Sequence, residues 1–321
     1  MGTKDIKAKE YLADNTRFAD LCNAVLFDGE QVISPESLME EDPEEVLSVY
    51  DDGKEKANVK RLRDILKSAV IKSTGKSYVV IIGVESQAEI HYAMVVKDML
   101  YDALNYGAQI KNIERNHRRN RDGCTEAEFL SGFCKEDRLI PVITITLYLG
   151  PDRWDGARHL HDMFGDIDEG LRKYIPDYSI NLVSPYEIED FSKFNTTLGE
   201  VLEVIKYSQD KNRLRKLMEE DPQFKRMDWE TVSVINSYAG TRIPLEGKGG
   251  NADMVDMCKA WVDWKEEGRE EGREEGREDG TIRGIIRMGR ACNAGDEKMI
   301  EMICRETGMD SEKARESIKK Y

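Results

Sequence analysis

RLRDILKSAVIKSTGKSYVVIIGVESQAEIHYAMVVKDMLYDALNYGAQ, residues 61–109, holds two apolar runs, a turn between them, and the one polar arrangement in the chain placed for chemistry. The second run, Tyr78 to Val84, is a continuous β-branched stretch of strand length, as expected of a strand covered on both faces, and Glu85 ends it. The first run, 62–72, is ambiguous, because Leu62, Ile65, Leu66, Ala69 and Val70 also fall at helical spacing. Between the runs, Ser73-Thr74-Gly75-Lys76 has turn composition, with a glycine able to take positive φ. If the runs pair as an antiparallel hairpin about the midpoint between Thr74 and Gly75, opposed residues have numbers summing to 149, which sets Asp64 across from Glu85. Side chains alternate along a strand, so Gln87 shares the face of Glu85. From Glu89 to Tyr106 the spacing turns helical, with Gly107 as the expected stop.

Upstream, Phe18, Leu21, Cys22, Val25 and Leu26 predict an amphipathic helix over 14–27, capped by Asp14 or Asn15 and ended at Asp28-Gly29. Val32-Ile33 reads as a short strand before the Ser34-Pro35 break. Residues 40–56 hold eight acids against two lysines and read as a solvated loop with a short strand at 46–50. Downstream, KNIERNHRRNR at 111–121 is the most basic window, a solvated helix end and loop or, if it lies beside the acids, a phosphate-contacting segment. RLIPVITITLYLG at 138–150 is a third strand, and His159 and His161 lack companion ligands at metal-binding spacing.

The net charge of −15 argues against a general polyanion binder while leaving room for a local basic patch. Six cysteines form no CxxC pair and no zinc-like cluster, so they read as reduced. No apolar leader opens the chain and no stretch approaches the ~20 apolar residues that span a bilayer, which points to a cytoplasmic protein without membrane partners. With 40% hydrophobic residues in 321, one substantial domain and a smaller accessory region are expected. The bounds are a core over 1–205, a helical extension over 206–260, a Gly-Arg-Glu repeat helix over 261–280, and a helical tail over 281–321. In KEEGREEGREEGREDG the Glu–Arg pairs at i, i+3 favour helix while each glycine opposes it. In the tail, Ile285, Ile286, Met299, Ile300, Ile303 and Ile318 supply a small core broken at Gly308, and these C-terminal helices are a candidate homo-oligomer contact. The glycines at 247, 249 and 250 lack phosphate-loop order and read as a loop.

Two opposed carboxylates need neutralising, and hard oxygen ligands favour Mg²⁺ or Mn²⁺ over zinc. A metal so held suits phosphodiester hydrolysis. The order RDILK, then VVIIGVESQ running into IHYAMVVKDMLYDALNY, then LIPVITITLYLG, resembles the recombination-promoting nuclease family, which includes transposase-like members, within the PD-(D/E)XK nuclease superfamily. RFADLCNAVLFDG and the GREEGREEGRE repeat are similar to that family as well, and the likeness covers roughly residues 10–200 in its core.

The resemblance implies an α/β, restriction-endonuclease-like fold, a central mixed β-sheet flanked by helices with a helical C-terminal extension, and a strand at 62–72. It also implies Mg²⁺-dependent DNA endonuclease activity linked to recombination or mobile elements. By position, Asp64 matches the first-motif aspartate, with Arg63 where the superfamily has proline, and Glu85 matches the second-motif acid. Gln87 stands where the superfamily has lysine; its amide can orient a water but supplies no charge. Asp20 is the candidate for a further metal-binding acid from the first helix, ahead of Asp14 and Asn15. Expected DNA contacts are Lys67, Lys111, Arg115, Arg118, Arg119 and Arg121. The rival reading is a catalytically weak or inactive nuclease-fold protein that binds DNA or self-associates through its C-terminal helices, and a strand-transferring transposase is a third.

Overall fold

The computed structural model describes residues 3–42, 44–51, 54–62, 64–73, 76–120, 125–241, 243, 254–255 and 257–321. Arg63, the turn residues Thr74 and Gly75, Arg121, Cys124, and the glycines at 247, 249 and 250 lie outside the described residues. The chain divides into two compact units, Met1–Met257 and Cys258–Tyr321.

The first unit opens with α1 (Thr3–Ala13) and α2 (Asn15–Leu26). Asp14 starts α2 as expected, its carboxylate accepting from the amides of Thr16 and Arg17, and the helix buries Phe18, Leu21 and Cys22. Past Asp28 and Gly29, both at positive φ, the returning chain is held by a side chain. Buried Asn23 accepts from the amides of Val32 (3.2 Å) and Ile33 (2.9 Å) and donates to the Ile33 carbonyl. That is why Val32-Ile33 is not the strand expected of it, since its hydrogen-bonding groups already have partners. The first strand is instead β1 (Leu38–Glu40).

β2 (Glu44–Asp51) pairs antiparallel with β3 (Lys54–Leu62) as a separate two-stranded sheet. The strand at 46–50 is therefore longer than expected, and 54–56 are part of its partner. β3 reads KEKANVKRL, whose charges hide a strand from a search for β-branched runs.

β4 (Ile65–Ser73) and β5 (Lys76–Gln87) form the predicted hairpin, with Ile65 opposite Val84 and Ser73 opposite Lys76, in the register that sums to 149. The ambiguous run is thus a strand, although Leu62 belongs to β3, and β5 continues past Glu85 to Gln87. α3 (Met94–Asn120) and α4 (Glu126–Ser131) lead to β6 (Val142–Tyr148), parallel to β5; α5 (Glu169–Arg172) leads to β7 (Asn181–Val183), parallel to β6. The order β1-β4-β5-β6-β7 makes a five-stranded mixed sheet in an α/β fold flanked by helices.

α3 begins later than expected and runs through Gly107. A helical glycine costs about 1 kcal/mol, but the residues on both sides of it are anchored to the segment that enters β6. The Tyr106 hydroxyl accepts from the Val142 amide, and the Gln109 amide group exchanges two hydrogen bonds with the backbone of Ile140. The basic stretch 111–120 is thereby helix rather than loop.

α6 (Leu198–Tyr207), α7 (Lys211–Glu220), β8 (Met227–Asp228), α8 (Trp229–Ala239) and β9 (Met254–Val255) complete the unit. α8 packs on α1 and α6, so 206–257 lies within the first unit. The second unit holds α9 (Met257–Ala291) from Cys258 on, α10 (Asp296–Thr307) and α11 (Ser311–Lys320). The repeat is continuous helix in α9, and all six of the expected tail residues are buried together with Ile282 and Ala314. Gly308 ends α10 at φ 72°, a conformation that costs other residues strain.

Candidate active site at the end of the central strands

Asp64 lies one residue before β4 and Glu85 near the carboxyl end of β5; the register that opposes Ile65 to Val84 brings them together. Both are buried, at 5% and 2% exposure. They meet through the backbone: the Asp64 amide donates to Glu85 Oε1 at 3.1 Å. The Asp64 carboxylate turns to Ser86, where Oδ2 accepts from the backbone amide (2.9 Å) and the hydroxyl (3.0 Å). Glu85 Oε2 receives the ammonium of Lys97 at 2.8 Å. Burial raises the Glu85 pKa, Lys97 opposes that rise, and the Asp64 charge adds to it.

α3 lays further acids on the same end of the sheet. Thr146, opposite Glu85 in the β5–β6 register, donates to Asp98 Oδ2 at 2.6 Å, and Thr144 donates to Asp102 Oδ1 at 2.6 Å. Asp98 is fully buried, and its Oδ1 has no hydrogen-bond partner. Burial pushes its carboxyl up to about 7, with the charges of Glu85 and Asp102 adding to the rise. On the other side α1 contributes Asp5, whose Oδ1 accepts from the Ala88 amide just beyond β5 (3.1 Å). The buried Tyr238 hydroxyl of α8 is kept protonated by burial and by the charges of Asp5 and Asp64.

Lys97, Asp98, Asp5 and Ser86 escaped the sequence reading. Asp98 left a signal, because it lies four residues after Met94 on the buried stripe of α3, where an acid is out of place. Lys97 left none, since its reach to Glu85 depends on where α3 begins.

Other expected residues lie elsewhere. Asp20 caps the 195–198 turn, accepting from the amides of Asn195 and Thr196 and from the Thr196 hydroxyl, so its carboxylate is committed away from Asp64 and Glu85. Asn15 accepts from Lys67. Lys67 is 1% exposed, with its ammonium bonded to Ala13 O and Asn15 Oδ1 and 5.2 Å from the centre of the Phe18 ring. It sits at the opposite strand parity from Leu66, with its ammonium engaged inside the fold rather than facing solvent. Gln87 is half-buried, and its carbonyl accepts from the Leu149 amide.

Lys111, Arg115, Arg118 and Arg119 fall at i, i+4, i+7 and i+8 on α3, and the three arginines are exposed, Arg118 pairing with Glu114. Arg115 is eighteen residues beyond Lys97 on one helix, about 27 Å along its axis at 1.5 Å per residue. The basic segment therefore does not adjoin the acids, and Arg121 lies outside the described residues.

His161 is tied to the Ile175 carbonyl and His159 pairs with Asp177. Cys22, Cys292 and Cys304 are free thiols, whereas Cys134 is disulfide-bonded, contrary to the expectation of reduced cysteines throughout. Among the described residues, one group of His, Cys and acids has three ligand atoms within 4.8 Å of one another: His117, Cys134 and Asp137, away from Asp64 and Glu85. No helix among the described residues is long and apolar enough to cross a membrane. No protein-family model, curated protein or solved structure matches the chain.

Proposed function

We propose that the protein is a metal-dependent DNA endonuclease with a restriction-endonuclease-like core, hydrolysing phosphodiester bonds at Asp64 and Glu85. The observation that carries this reading is the buried Asp64–Glu85 pair at the carboxyl end of a central strand, where ligands of open α/β sheets gather. The donor set fits Mg²⁺ or Mn²⁺, because it is all carboxylate oxygen. The surroundings fit a cation too. Buried Asp64 and Glu85 set two carboxylates here against the single ammonium of Lys97, and Asp98 adds a buried oxygen with no hydrogen-bond partner.

When bound, Mg²⁺ would lower the pKa of a water and offset charge building on the phosphorane-like transition state. The chain's own residues do the rest. Ser86 fixes one oxygen of Asp64 through two hydrogen bonds and so orients the carboxylate. Lys97 supplies, from α3, the positive charge that Gln87 cannot, and it stands on Glu85 in the structure. The Gln87 amide can both donate to and accept from an attacking water. Asp98 holds a proton near neutral pH and spares Glu85 a further adjacent charge. The exposed arginines of α3, about 27 Å away, suit the duplex flanking a scissile phosphate, and at 3.4 Å per base pair that is about eight pairs off. Asp5, whose carboxylate holds the Ala88 amide just beyond β5, is the acid that α1 brings to this end of the sheet.

Plasmid nicking by the full chain with Mg²⁺ or Mn²⁺, its loss in EDTA, and its loss in Asp64→Ala test the proposal. DNA binding that persists without cleavage under every metal would favour the non-catalytic rival, and joining of supplied DNA ends would favour a transposase.

A further inference from the structure

A second constellation lies at the far end of α3, built from residues that the nuclease proposal does not use. His117, in the last turns of α3, sets Nε2 at 2.8 Å from Oδ2 of Asp137, and the same oxygen accepts from the Cys134 amide at 2.6 Å. The Asp137 amide donates back to the Cys134 carbonyl at 3.0 Å, closing a tight turn. Cys134 and Asp137 thus present their side chains from a ligand-x-x-ligand turn, the spacing at which two chain-adjacent ligands commonly grip zinc. One ligand atom each from His117, Cys134 and Asp137 lies within 4.8 Å of the others. Around a tetrahedral zinc with bonds of 2.0–2.3 Å such atoms stand about 3.5 Å apart, so closing on the ion takes a contraction of at most about 1.3 Å. The histidine and aspartate are partly shielded, at 23% and 18% side-chain exposure. Glu128 steadies the loop by accepting from the Lys135 amide while completing the capping box of α4 with Thr125.

We propose that, with Cys134 reduced, His117 Nε2, Cys134 Sγ and an Asp137 carboxylate oxygen bind a zinc ion that fastens the basic end of α3 to the 133–137 turn. The donors are nitrogen, sulfur and a single carboxylate, which select zinc and not magnesium. A thiolate and a carboxylate together balance the dication. In the structure Cys134 is disulfide-bonded, so its sulfur becomes a ligand only once that bond is reduced. A phosphine opens the bond cleanly: it attacks one sulfur, the S–S bond breaks, water gives its oxygen to make phosphine oxide, and both sulfurs leave as thiols. Zinc then displaces the Cys134 thiol proton to solvent. The site lies two residues from Arg115 and next to Arg118, so the metal would fix the basic stripe rather than take part in cleavage.

The test uses the full chain held in phosphine, loaded with zinc and desalted. About one zinc per chain should remain, with a raised Tm, and zinc should protect Cys134 from maleimide until a chelator is added. Cys134→Ser and His117→Ala should each abolish retention, while Asp64→Ala should retain zinc fully, which separates this site from the proposed nuclease centre. Substoichiometric zinc in the reduced wild type, or full retention by Cys134→Ser or His117→Ala, would overturn the proposal. So would Cys134 labelling at one rate with and without zinc, a measurement that needs no variant to fold.

Discussion

The amide of Asp64 donates to one oxygen of Glu85 at 3.1 Å while the ammonium of Lys97 donates to the other at 2.8 Å, so a nearly inaccessible carboxylate is held by a strand neighbour and a helix together. Neither contact alone compensates for removing that charge from water. The end of the sheet is therefore electrostatically tense, and its tension is measurable apart from any activity.

Removing Lys97 tests this directly. Lys97→Met leaves Glu85 buried and short of its cation, which typically costs about 3 kcal/mol at pH 7. Urea unfolding of Lys97→Met, and of the double variant with Glu85→Gln, reads the effect. The double variant should recover most of the loss, because the amide carries no charge to strand.

Asp98 gives a pH signature. Its folded pKa of about 7 stands above its ordinary 3.8, so the folded state binds the proton more tightly than the unfolded chain does. Its contribution to stability is complete at low pH and is lost as pH rises from about 4 through 7. Asp98→Asn keeps an oxygen for the Thr146 hydroxyl and has no charge to bury. Relative to wild type, the variant should gain stability progressively across that window and hold a constant advantage above it, as read by urea midpoints at stepped pH.

The part of this site that was legible in the sequence is the part fixed by strand arithmetic. A tight turn and a two-residue side-chain period suffice to oppose Asp64 to Glu85, and the β4–β5 register follows that pairing throughout. The same arithmetic, not applied to Lys67 when it was placed among the DNA contacts, sets it on the other face, since 67 and 64 differ in parity. Lys97 and Asp5 were invisible because tertiary packing brings them in, across a helix start that periodicity placed five residues early. Asn23 shows how a single buried amide can turn an apparent strand into a pinned loop. In the second unit the apolar spacing of α10 and α11 sufficed, because a small helical core is specified by local pattern.

The exposed arginines of α3 make a separable prediction. Replacing Arg115 and Arg119 with glutamine should weaken binding to duplex DNA regardless of its sequence and flatten the dependence of log affinity on log salt by about one unit for each arginine that neutralises a phosphate. A salt series of fluorescence anisotropy measures it. Lys67→Gln should leave that slope unchanged, since its ammonium is already engaged inside the fold.

Ile303 is fully buried in the core of the second unit. Ile303→Ala should destabilise that unit by about 2–5 kcal/mol. Hydrogen exchange should report the change as faster opening of α10 and α11, with protection of β4 and β5 unaltered.

The most direct test of the proposed activity is supercoiled plasmid cleavage by the purified full chain in Mg²⁺, with Asp64→Ala and Glu85→Gln alongside. Nicked or linear product is expected from the wild type, none in EDTA, and a fall of about 10²-fold or more in each variant, as when a group acting on the transition state is removed. Full cleavage by Asp64→Ala would contradict the proposal.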